Sequence, residues 1–113
     1  MDQPVPHVSS SDLARVLQRE FPGETQDEIA ALLETYDGKE AVRVKLAILK
    51  LAGGHVSRAR EYLEAAGEDY RDVLAWAEYP EFIQDAYKGV PAKSPDAIIA
   101  RDWEQYETWL KKA

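Results

Sequence analysis

Cysteine is absent from the 113-residue chain. Without a thiol there is no disulfide framework, thiolate zinc site, iron–sulfur cluster or cysteine nucleophile, and a reducing compartment fits the composition. Histidine is scarce: His7 and His55 are the only two, and they stand far apart. A zinc or non-haem iron centre needs His and carboxylates at ligand spacing, so no metal and no cofactor are expected. Long apolar runs are missing as well, with nothing near the roughly 18 unbroken residues of a membrane span. The opening MDQPVPHVSSSD lacks the basic start and apolar centre of a secretory signal. A soluble, cytoplasmic protein is the expectation.

Other absences narrow the chemistry. Gly53-Gly54 has no strand before it, so it is neither a Walker-type nor a dinucleotide-type phosphate loop. Ser57 follows closely on His55, but no strand-to-helix elbow surrounds it to expose a nucleophile. Carboxylate pairs such as Asp69 with Asp72 and Glu78 with Glu81 arise readily among 21 acids, and exposed helical carboxylates keep ordinary pKa values. The chain is expected not to be an enzyme. No stretch alternates apolar and polar residues, so no sheet is expected.

What is present argues for a folded domain. Hydrophobic residues make up 45% of the chain, including three Trp, six Tyr and two Phe, which lies outside the disordered range. The length suits one domain. Net charge is −7, unevenly placed: eight acids face Arg15 and Arg19 in residues 1–38, six bases face Glu40 in 39–60, and twelve acids face six bases in 61–113. A basic middle between acidic ends implies complementarity between helices or an exposed basic face.

Apolar spacing then orders the chain. Residues 1–10, with Pro4 and Pro6, read as a flexible arm. Residues 11–113 read as one helical domain. One of Ser9 to Ser11 can cap a first helix over about 11–20, which Pro22-Gly23 ends. Thr25 and Glu28 match a capping box for a second helix over about 26–37, with Ile29, Leu32, Leu33 and Tyr36 on one face. From 39 to 52 the apolar positions are too many for one stripe, which predicts a central helix touching neighbours on two sides. Gly53-Gly54 stops it. Further helices are expected at about 56–66, ending at Gly67, and 69–78, stopped by Pro80. That Pro can itself open a short helix with Phe82 and Ile83. After a loop at 88–93, Ser94-Pro95-Asp96 starts an aromatic C-terminal helix over about 95–111. The expected fold is all-α, a compact bundle of five to seven short helices around 39–52.

The segment LKLAGGHVSRAREYLEAAG, Leu49 to Gly67, resembles the second and third helices of the ubiquitin-associated-like superfamily, which includes the N-terminal domain of elongation factor Ts. The matching positions are Val56, Ala59, Tyr62 and Leu63 after a small turn. The likeness covers about residues 26–67, leaves 68–113 as a helical extension, and implies a three-helix core. On that resemblance the partner surface is Tyr36, Asp37 and Gly38 together with Tyr62 and Leu63. GGHVSRA, Gly53 to Ala59, is also similar to the helix-turn-helix of Fis-like DNA-binding proteins. The would-be recognition helix carries Glu68, Asp69, Asp72 and Glu78 against Arg71, a charge that phosphates repel. DYRDVLAWAEYPEF, Asp69 to Phe82, resembles stretches of small bacterial proteins and implies no activity.

The reading that results is a helical protein–protein interaction domain. Trp76 and Trp109 fall off their helices' main stripes and join the candidate partner surface, because amphipathic aromatics are enriched where binding energy concentrates. One alternative is a nucleic-acid-binding protein that sets Arg43, Lys45, Lys50, Arg58 and Arg60 on phosphates. Another is an acidic, antitoxin-like inhibitor that covers a basic partner.

Overall fold

The computed structural model describes residues 6–87 and 95–112. Six helices make up these residues, with no strand among them: α1 (Ser10–Glu20), α2 (Glu24–Glu34), α3 (Ala41–Ala52), α4 (Val56–Glu78), α5 (Pro80–Tyr87) and α6 (Pro95–Lys111). The 88–93 loop lies outside the described residues, as does the first part of the arm. Of the rest of that arm, Pro6 is buried and Val8 packs against the core.

Each helix begins for a local reason. Ser9 caps α1 in a full capping box, its side chain accepting from the Asp12 amide while Asp12 accepts from the Ser9 amide at 3.0 Å. The box expected at Thr25 does not form. Gly23, at φ +74°, starts α2 two residues earlier, and the Thr25 hydroxyl donates instead to the Pro22 carbonyl at 3.0 Å.

α3 starts later than the apolar run suggests. Glu40 takes the left-handed conformation at φ 55° and ψ 41°, so Lys39 and Glu40 form a turn rather than helix. The Tyr36 hydroxyl, donating to the Lys39 carbonyl at 2.7 Å, holds that turn. From there Val44, Leu46, Ala47, Ile48, Leu49 and Ala52 are all fully buried, the wide apolar surface of a central helix. Burying each of the larger ones contributes roughly 1.5–3 kcal/mol. α3 packs most extensively on α4 and also on α1.

The two helices expected at 56–66 and 69–78 are both present, joined without a loop across a kink within α4. Gly67 stays helical and the break comes two residues later, at Asp69, whose φ of −154° and ψ of 102° are extended. There the Asp69 carboxylate accepts from the Arg71 amide at 3.0 Å, capping the second half of α4 much as an N-cap opens a helix. Its short polar side chain satisfies an amide that the break leaves without a helical partner.

α5 and α6 close the fold through polar ties. Asp102, buried on α6, accepts from the amides of Glu81 and Phe82 at 3.2 and 2.9 Å, so an acid from another helix caps α5. Tyr106 and Leu110 on α6 join the core. At the far end, Arg15 and Arg19 of α1 donate to the carbonyls of Leu110 and Lys112, the acceptors that a helix C-terminus leaves open.

Candidate functional site

The structure brings one set of sequence-derived candidates to a concave surface and places the others elsewhere. Tyr36, Asp37 and Gly38 follow α2 and face the break in α4. Together with Thr35, Lys39 and residues 66–71 they line an open groove of about 610 Å³.

Packing fixes its loop. Tyr36 is buried and tied to Lys39, and a Cβ on Gly38 would stand 2.9 Å from the Tyr36 hydroxyl oxygen. Only glycine lets the chain pass that close to the ring. Burial pushes the Tyr36 pKa up, aided by Tyr70, Asp37 and Glu40 nearby. Its phenol therefore remains a neutral donor. On the opposite wall Asp69 and Arg71 form a forked ion pair at 2.9 and 3.0 Å. That pairing lowers the Asp69 pKa and raises that of Arg71. Residues 66–71 were legible as the junction between a helix ending at Gly67 and one starting at about 69, but nothing local marked them as a wall.

Tyr62 and Leu63 sit on the first half of α4, half-buried against the core. Tyr62 meets the half-buried Trp76 edge-on, with ring centroids 6.2 Å apart, so these two candidates contact each other. Trp109 lies with α1. Its ring stacks at a tilt on Tyr106 at 5.6 Å, Arg19 lies over it at 5.2 Å, and its Nε1 donates to Glu20 at 3.1 Å. One side of the indole borders a hollow of about 590 Å³ along α6.

The basic residues are dispersed by pairing and burial. Arg43 makes a two-pronged ion pair with Glu78 at 2.8 and 2.6 Å, and Glu78 is buried. This overturns the expectation of an exposed Glu78 and commits the Arg43 guanidinium to the interior. The hydrogen bond to Glu78 raises the Arg43 pKa against the opposing effect of burial. Lys50 is half-buried, and desolvation lowers its pKa, with Asp102 pulling the other way. Arg60 reaches across to Glu28 at 2.8 Å. Lys45 is half-buried and Arg58 exposed.

Among the described residues no group of His, Asp and Glu has the arrangement to hold a metal ion, and no helix is long and apolar enough to cross a membrane. The burial of two carboxylates, Glu78 and Asp102, was not read from the sequence. Glu78 directly follows the apolar run 73–77, and Asp102 stands between Arg101 and Trp103, two positions beyond the apolar run 97–100. The Asp102 pKa is raised by desolvation, partly countered by the two amides it accepts from. No family model, curated protein or solved structure matches the chain.

Proposed function

We propose that this chain is a non-enzymatic helical interaction domain that engages another protein through the groove between the Tyr36–Gly38 loop and the α4 break. One observation carries the reading. The loop is held rigidly by its own tyrosine while the facing helix interrupts itself, and the two leave a concavity with a preformed backbone. Preformed concave sites reduce the ordering cost of binding. The resemblance of residues 26–67 to the ubiquitin-associated-like superfamily supports the same face, since it assigns Tyr36, Asp37 and Gly38 to partner contact. The pairing of Arg43 with buried Glu78 and the partial burial of Arg43 and Lys50 weigh toward protein rather than phosphate as the partner.

Site-specific photocrosslinking tests it. A photoreactive residue at exposed Asp37 or Glu68 is expected to give a discrete adduct with one partner in cells of the source organism. The same residue at exposed Gln18 or Ser57, away from the groove, is expected to give none. Equal adducts from all four positions, or none from the groove pair, would overturn the proposal.

A further inference from the structure

The groove is the end of a longer feature. Arg60 on α4 reaches Glu28 on α2, and seven residues further along each chain Thr35 and Gly67 line the same groove. Both helices therefore run in the same sense along a shared seam. Helical spacing places Ala31 and Leu32 opposite Leu63 and Glu64 between those two points. Ala31 is exposed, and Leu32 and Leu63 are half-buried, so the seam has a shallow apolar floor.

Its margin is acidic. Glu61, Glu64 and Glu68 recur at i, i+3 and i+7 along the exposed edge of α4, and exposed Asp37 continues the series across the groove. None of these four has an ion pair among the described residues. Two of the nearby cations are committed, Arg60 to Glu28 and Arg71 to Asp69, while exposed Arg58 stands one turn before Glu61 on α4. Lys39 alone is left on the groove's rim. Inside it, the half-buried Tyr70 presents an aromatic wall beside Tyr36, and the face of a tyrosine attracts a cation.

Resting on the reading of the groove as a protein interface, we infer that its occupant is a basic segment of the partner, with Lys or Arg side chains on the Glu61–Glu64–Glu68 edge and in the tyrosine-lined groove, and apolar residues on Leu32 and Leu63. Charge complementarity selects this occupant, since an acidic segment or a nucleic acid would meet like charge along the Glu61–Glu64–Glu68 edge and at Asp37. Long-range attraction from a chain of net charge −7 speeds the encounter, and the seam gives it a register.

The test uses the full chain and a synthetic peptide alternating Lys pairs with Leu, compared with its Glu analogue and with a duplex oligonucleotide. Backbone amide shifts on addition of the basic peptide are expected to cluster in residues 31–39 and 60–72, with affinity falling as salt is raised. Reversing two exposed charges, Glu64→Lys with Glu68→Lys, is expected to weaken binding at least about tenfold. Reversing exposed Glu104 on α6 should leave binding unchanged. Shifts spread equally over the acidic residues of α6, equal losses for both reversals, or binding of the Glu peptide or the oligonucleotide would overturn the inference. A crosslinked partner with no basic segment at its contact would also overturn it, while leaving the groove itself an interface.

Discussion

Arg43 and Glu78 show how much a single pair can decide. Glu78 is 2% exposed and its carboxylate is matched by both prongs of the guanidinium. Removing one partner strands a buried charge, so Arg43→Met or Glu78→Gln is expected to cost about 3–5 kcal/mol in urea denaturation. The apolar double variant Arg43→Met with Glu78→Leu should recover most of that loss. Gly38 is a second single-residue constraint. Gly38→Ala drives a methyl into the Tyr36 ring, and the expected result is loss of the Tyr36 to Lys39 hydrogen bond, read as new chemical shifts at residues 36–41 with the rest of the spectrum unmoved. Among the tyrosines, burial pushes Tyr79 up to about 12, and raises Tyr106 further. A phenol with a raised folded pKa contributes stability that is intact below pH 10 and is lost as pH rises through the folded value. Ultraviolet titration of tyrosinate should therefore show these two of the six tyrosines ionising last and together with unfolding, with Tyr36 also shifted upward, and Tyr106→Phe should remove one of the late groups.

At the scale of elements, α4 and α6 hold the fold by opposite means. α4 tolerates a break because Asp69 supplies at once the amide acceptor and the ion pair that the interruption needs. α6 is fastened at its C-terminal end by two arginines of α1, and the Arg19 Nε and Nη2 and the Tyr106 hydroxyl are buried there without a hydrogen-bond partner. Each such group opposes docking by about 1–3 kcal/mol. α6 is thus expected to be the first helix to open. Native-state hydrogen exchange should show amides of 104–111 exchanging faster than those of α3, and Arg15→Ala with Arg19→Ala should accelerate them selectively. Uniform exchange of α3 and α6 in the double variant would refute that ordering.

Over the whole molecule, Asp102 connects three helices: it lies on α6, caps α5 and faces the half-buried Lys50 of α3. Its folded pKa is raised above the ordinary 3.8, chiefly by desolvation. The sign follows from linkage. The folded chain holds this proton more tightly than the unfolded chain, so the contribution is fully present below pH 3.8 and is lost as pH rises through the folded value. Asp102→Asn removes this dependence. Urea denaturation in steps of pH from 3 to 7 should show the stability of the parent, measured relative to the variant, declining as pH rises; a constant difference would contradict it.

Local pattern alone determined the helical class, the position of α1 and α6, a serine cap among Ser9 to Ser11, the Gly-Gly stop and the wide apolar surface of α3. Those features are written in residues a turn or two apart, because capping and the 3.6-residue period act over that range. It was less informative where one turn competes with another, as at Thr25 and Glu40. The groove was half legible: Tyr36 to Gly38 were visible as a loop, but the wall at 66–71 was not. Only the tertiary structure decided which charges are interior and which face water. Arg43 and Glu78 are 35 residues apart, Arg15 and Leu110 are 95 apart, and no local rule couples such positions. Chain folding brings them within hydrogen-bond distance, and desolvation then makes each pairing obligatory.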